Sequence, residues 1–185
     1  MTISPADEER PVRVRQAVQA DLLAVLRIER ASFEQPWPFS AFERFLGEPG
    51  FLVADEGSAG RRSPTNAAGG ALQTGSVVGY VVANLVANHG RPLGHVKDIA
   101  VHPDRRGDGV GATLLEHALS VLEAGGARSV KLEVRASNQP ALSLYYEYGF
   151  EYLRTVPRYY DDGEDALILV VDLDAEEWSP DSESQ

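Results

Sequence analysis

The sequence predicts an α/β fold in one domain, a mixed β-sheet with helices on both faces. Three observations predict it. Segments of alternating and of helical period follow in the order βααββ, then βαβ, then αββ, without internal repeat. The chain has 185 residues, 43% of them hydrophobic, enough for one ample core. No linker is long enough to separate a second unit.

Val12-Arg13-Val14-Arg15 alternates apolar and charged residues and reads as the first strand. Asp21 is placed to cap a helix over 22–31, with Leu22, Val25, Leu26 and Glu29 spaced along one side. Pro36 and Pro38 interrupt the helical pattern, leaving an aromatic loop, Phe33-Glu34-Gln35-Pro36-Trp37-Pro38-Phe39. Phe33 and Trp37 can anchor this loop to the core or face a substrate; the sequence favours neither. Ser40-Ala41-Phe42-Glu43 has the form of a capping box opening a short helix to Leu46.

A short strand over 51–54 and a longer one over 77–85 flank a polar stretch rich in Gly, Ser, Ala and Thr. Residues 57–76 therefore read as a flexible hairpin loop. After a turn at His89-Gly90-Arg91-Pro92, the strand over 95–101 leads into Arg106-Gly107-Asp108-Gly109-Val110-Gly111-Ala112 and then a helical run. Gly125-Gly126 ends that helix. In the next strand, over 129–135, Val130, Leu132 and Val134 share one face and Lys131, Glu133 and Arg135 the other. A helix over 138–148 presents Ala141, Leu144, Tyr145 and Tyr148 on one side, and strands over 151–156 and 167–173 close the order. The domain spans 11–173, between a flexible N-terminus (1–10) and an acidic, frayed tail (174–185).

The loop at 106–112 carries the chemistry. Glycines at 107, 109 and 111 bear no side chains to block a ligand. Successive backbone N–H groups can therefore converge on an anion at the positive end of the following helix. Without a Gly-Lys-Ser/Thr ending it is no P-loop. Its G-x-G-x-G spacing, six residues beyond the strand, departs from the dinucleotide fingerprint. A helix-capping turn without a ligand remains open from the loop alone.

Composition narrows the classes. A formal net charge of −11 repels a phosphate backbone, so nucleic acid is a poor partner. Lysine occurs only at 97 and 131, and this acidic, lysine-poor composition fits adaptation to high salt. There is no apolar run of membrane-spanning length, no apolar leader at 1–10, and no cysteine. The expectation is a cytoplasmic protein without membrane contact. The histidines at 89, 95, 102 and 117 show no paired ligand spacing and read as surface or structural, with no metal.

Arg106-Gly107-Asp108-Gly109-Val110-Gly111 matches the Arg/Gln-x-x-Gly-x-Gly/Ala signature of the GNAT acyltransferases. Leu132-Glu133-Val134-Arg135-Ala136-Ser137-Asn138, Ala141-Leu142-Ser143-Leu144-Tyr145 and Gly149-Phe150 make the resemblance specific. Arg158-Tyr159-Tyr160, Gly163-Glu164-Asp165-Ala166 and the Phe-x-x-Pro-Trp loop point within that family to the RimI-like N-terminal protein acetyltransferases.

The resemblance covers roughly residues 12–173 and implies a central, mostly antiparallel sheet splayed at the cofactor site. It implies acetyl-CoA, with pyrophosphate on the backbone of Gly107, Asp108, Gly109, Val110, Gly111 and Ala112 beside Arg106. Pantetheine would pair along Ile99, Ala100 and Val101, and Asn138 would touch the cofactor. Glu133 would be the base and Tyr145 the acid, with Phe33, Trp37, Tyr159 and Tyr160 on the substrate side. The implied substrate is a protein N-terminus, such as that of a ribosomal protein or nascent chains.

From the residues alone, Glu133 could equally be a surface carboxylate paired with Lys131 or Arg135, Tyr145 a core aromatic, and Asn138 a helix cap. Asp108 stands where the family often carries a base, and Arg105 replaces a frequent aromatic. An enzyme acetylating small amines, or a nucleotide-binding module with Glu133 on a ribose, are the alternatives. The absence of cysteine and of a Gly-x-Ser-x-Gly elbow favours direct attack over an acyl-enzyme. An α-amine of pKa about 7.7–8.0 is on the order of a third neutral near pH 7.5, whereas a lysine near 10.4 is almost wholly protonated. A modest carboxylate base therefore suits an N-terminus.

Overall fold

The computed structural model describes residues 11–57 and 76–174. The N-terminus at 1–10, most of the expected loop at 57–76 and the tail beyond Asp174 lie outside the described residues.

The elements follow the expected order: β1 (Val12–Gln16), α1 (Leu22–Ser32), α2 (Phe39–Glu43), β2 (Phe51–Glu56), β3 (Ser76–Val86), β4 (Leu93–Val101), α3 (Val110–Ala124), β5 (Ser129–Arg135), α4 (Gln139–Glu147), β6 (Glu151–Val156) and β7 (Ala166–Asp172). They build a seven-stranded sheet in the order β1-β2-β3-β4-β5-β7-β6. Every pairing is antiparallel except that of β4 with β5, which the α3 crossover makes parallel.

Two cores sandwich the sheet. On one face, Leu114, Leu115, Ala118, Leu119 and Leu122 of α3, with Leu142 and Tyr145 of α4, cover Val130, Leu132 and Val134. On the other, Leu22, Val25, Leu26 and Ile28 of α1, with Phe42 of α2, cover Phe51, Val53, Tyr80 and Val82. Each fully buried leucine contributes roughly 1.5–3 kcal/mol, so the helices are held chiefly by these faces. Among the described residues no helix is long and apolar enough to cross a membrane.

Two expected helix starts differ. Asp21 stands at the N-cap of α1 without capping it; its carboxylate instead receives two Arg15 hydrogen bonds (2.7 and 2.9 Å) and the Val18 N–H (2.9 Å). Arg15 also donates to Asp55 at 2.6 Å, so one guanidinium joins β1, β2 and the start of α1. A charged, bidentate partner outcompetes a backbone cap. The short helix begins at Phe39 with Pro38 as its N-cap, which puts Ser40 inside it, and it ends at Glu43 rather than Leu46.

Candidate active site

The parallel pair is brief. Gly94, His95 and Val96 pair with Val130, Lys131 and Leu132, and there the ladder ends. β4 runs on to Val101 and β5 to Arg135, each still paired on its far side with β3 and β7. The inner edges beyond Val96 and Leu132 thus border a gap, with backbone polar groups free to meet a ligand.

The glycine loop lies at the cleft's α3 side. Gly107 has φ +85° and Gly109 φ +78°, left-handed conformations that side chains oppose, and a Cβ on either would meet nothing within 4 Å. The first α3 N–H to find its helical acceptor is that of Thr113, onto the Gly109 carbonyl at 3.0 Å. The N–H groups of Val110, Gly111 and Ala112 therefore point out of the helix end. Open space, bare backbone and the positive end of a fifteen-residue helix fit a pyrophosphate.

The two atypical loop residues are absorbed. Asp108 is 52% exposed and accepts a hydrogen bond from Arg105 Nε at 2.8 Å, so its charge is neutralised at the surface. Arg105 also pairs with Glu56, which pins the loop to the end of β2. Arg106 donates to the Val101 carbonyl (3.1 Å) and to Ser32 Oγ (3.0 Å), bracing β4 against α1. Asn138 is the N-cap of α4, its side-chain oxygen accepting from Ala141 N–H at 3.3 Å.

Glu133 is partnered by a residue outside the expected site set. Its Oε2 lies 2.6 Å from His95 Nε2, and Lys131 Nζ is 3.6 Å from Oε1. Arg135 pairs instead with Asp162 and Glu164, at 2.7 and 2.8 Å. Burial works to raise the Glu133 pKa, but the hydrogen bond and charge of His95, then Lys131, outweigh it and hold the carboxyl below the usual range. Nothing in its local sequence distinguishes His95 from a surface or structural histidine; the parallel pairing of β4 with β5 links it to Glu133.

Tyr145 is 5% exposed and packs its ring on Phe150, centroids 5.7 Å apart. Among the described residues nothing hydrogen-bonds its hydroxyl. Burial foremost raises its pKa, so the phenol keeps its proton at neutral pH.

On the α1 face, Trp37 stacks on Phe45 (5.9 Å) and tilts against Phe42 (5.5 Å), with Phe33 packed beside the same core. Both aromatics pack one side against this core and are only partly buried. Tyr159 and Tyr160 make a T-shaped pair at 5.0 Å, with the Arg135 guanidinium 4.0 Å over the Tyr160 ring. Burial foremost raises both phenols, Tyr160 to about 12, and the charge of Glu133 acts on each in the same direction. Arg135 lies on the same face of β5 as Glu133, so this loop covers the face of the strand that carries Glu133.

A parted strand pair beside a glycine-lined helix end can receive an extended ligand with an anionic group, a form that suits a group-transfer enzyme. The family model described as the acetyltransferase (GNAT) family matches residues 22–150. An N-alpha-acetyltransferase of Sulfolobus acidocaldarius is 32% identical, over 90% of this chain and 97% of its own. The [ribosomal protein bS18]-alanine N-acetyltransferase of Escherichia coli is 35% identical, over 83% of this chain and 92% of its own. The crystal structure of Ard1 from Thermoplasma volcanium superposes with a TM-score of 0.73 at 26% identity, covering 88% of this chain and 97% of that one. The chain belongs to the GNAT acetyltransferase family and is an N-acetyltransferase. A nucleotide-binding module without catalysis is thereby set aside.

Proposed function

We propose that this enzyme transfers acetyl from acetyl-CoA to the N-terminal α-amine of a protein, a ribosomal protein or nascent chains, by direct attack in a ternary complex. One observation carries this reading: Glu133 meets His95 where the β4–β5 ladder ends, on the face of β5 from which Arg135 stacks on Tyr160. This supports reading Glu133 as a proton acceptor between a cofactor edge and an aromatic surface for the acceptor. The names of the two relatives above support the same acceptor. Such substrates would place the enzyme in the cytoplasm.

Acetyl-CoA, when bound, supplies the thioester carbonyl that is attacked and the sulfur that leaves. The backbone at 107–112 would hold its pyrophosphate, and the β4 edge at Ile99, Ala100 and Val101, whose Val101 carbonyl already accepts from Arg106, its pantetheine amides. Asn138, whose oxygen is taken by the cap, offers its side-chain NH₂ to the same ligand. Glu133, kept ionised, accepts the proton that the amine gives up as the N–C bond forms, with His95 sharing it. Tyr145 holds a proton at Oη for the departing sulfur. Backbone N–H groups at the irregular stretch of β4 orient the carbonyl oxygen. Phe33, Trp37, Tyr159 and Tyr160 seat the peptide.

Mass spectrometry of a mixed N-terminal peptide library incubated with enzyme and acetyl-CoA, in parallel with polyamines and aminoglycosides, tests the proposal. Acetylation confined to peptide α-amines is expected. Turnover of the small amines with inert peptides would overturn it.

A further inference from the structure

On the α1 face of the cleft lies a second cluster that the chemistry above does not use. The Tyr80 hydroxyl, in a side chain with no solvent exposure, contacts Glu29 Oε2 and lies 2.8 Å from Asp98 Oδ2. Glu29 is itself 1% exposed, and its other oxygen accepts the Trp37 N–H at 2.6 Å. The three side chains thus join the aromatic loop, through α1 and β3, to the cofactor strand β4.

A bulge makes this connection. Val82 pairs with Asp98 and Ala83 with Val96, so Lys97 is an extra residue in β4. In a regular strand Asp98 would share the α3 face of Val96. The extra residue reverses the alternation beyond it and turns Asp98 to the α1 face, where Tyr80 and Ala100 lie.

A phenol donates one hydrogen bond, so contact with two carboxyl groups requires a second proton. Burial, then the charge of Glu29, raises the Asp98 pKa well above its ordinary value, against the Tyr80 hydrogen bond. Asp98 therefore retains a proton to donate to Tyr80, while Tyr80 donates to Glu29. Among the described residues no lysine or arginine pairs with either carboxyl, so the proton does the work a cation would otherwise do.

We propose that Asp98, Tyr80 and Glu29 are positioning residues that tie the 33–37 loop to the cofactor strand and so set where the acceptor peptide lies relative to the acetyl group. This rests on the peptide-acceptor reading. Glu29 holds the loop by its backbone at Trp37, and the Asp98 end is fixed two residues past the last β4–β5 rung. Tyr80 bonds both carboxyl groups at once, so loop and strand are coupled through its hydroxyl. The link is a hydrogen-bond chain, so a donor without charge should serve at position 98 as well as the carboxylic acid.

The test is steady-state kinetics of the full chain with acetyl-CoA and a peptide that the wild type acetylates, for Tyr80→Phe, Asp98→Ala and Asp98→Asn, each with a thermal melt. Tyr80→Phe and Asp98→Ala should raise the peptide KM about tenfold, the loss of one net hydrogen bond, and leave the acetyl-CoA KM within about twofold. Asp98→Asn, which keeps a donor to Tyr80, should restore a near wild-type peptide KM. Asp98 is only partly buried, so its variants keep the test open should Tyr80→Phe fail to fold. An unchanged peptide KM in folded variants, both KM values rising together, or Asp98→Asn as impaired as Asp98→Ala would each overturn the inference alone. A wild type that acetylates no peptide would overturn both this and the acceptor assignment.

Discussion

Glu133 Oε2 and His95 Nε2 stand 2.6 Å apart, one residue on β5 and one on β4, at the place where those strands stop pairing. Both side chains are largely buried, at 16% and 14% exposure. The contact offsets the burial cost of the carboxylate and keeps it charged, as the proposed base requires.

Replacing His95 by alanine should therefore raise the Glu133 pKa, because burial would then act with less opposition. The base must be deprotonated to work, so the acid limb of the kcat/KM profile should move to higher pH. Glu133→Gln should lower turnover at neutral pH and recover partly towards pH 9, where an α-amine of pKa about 8 is mostly neutral without help. A loss that stays constant from pH 7 to about 9.5 would assign Glu133 to orientation instead.

Tyr145→Phe removes a hydroxyl that no described group engages and keeps the ring on Phe150. The melting temperature should hardly change while kcat falls by about 10²–10⁴-fold, the usual worth of a general acid. Full kcat in the folded variant would reduce Tyr145 to packing.

Gly109→Ala probes the loop. With φ at +78° and no neighbour within 4 Å of the added Cβ, the variant should lose roughly 1–2 kcal/mol from backbone strain alone. The acetyl-CoA KM should rise further than that destabilisation explains, because the methyl stands in the ligand's approach. Chemical denaturation and acetyl-CoA titration together separate the two effects.

Arg15→Met tests the ionic joint between β1, β2 and α1. Burial opposes, but Arg15 outweighs it and pulls the Asp21 pKa down. Its stabilising contribution is present above the unfolded carboxylate range and is lost as pH falls through the depressed folded value. The variant should lose about 3 kcal/mol at pH 7, where Asp21 and Asp55 are left without their cation. The deficit should shrink on acidification, as read by urea unfolding at pH 7 and pH 4.

Much was legible from local pattern. The alternation of 129–135 places Glu133 opposite the core-facing Val130, Leu132 and Val134, as the structure does. The glycine spacing at 107–111 anticipates a bare-backbone loop ahead of a helix; the structure adds left-handed backbone at 107 and 109 and an α3 start at Val110. Glu29 stands on the apolar side of its helix in the sequence itself, the one signal of a buried carboxyl that could have been followed.

The sequence by itself determined the elements, their order, the two-faced sheet and the bare-backbone loop, because these rest on periodicity and on the conformational range of glycine and proline. Only the tertiary structure decided what depends on strand register. The pairing of β4 with β5 brings His95 to Glu133 across 38 residues of chain. The extra residue Lys97 turns Asp98 to the face of Tyr80. Asp21 serves Arg15 rather than its own helix for a related reason: a charged partner from a neighbouring strand outweighs a local N–H. Local sequence sets the side-chain period, but a single inserted residue or a partner strand sets its phase.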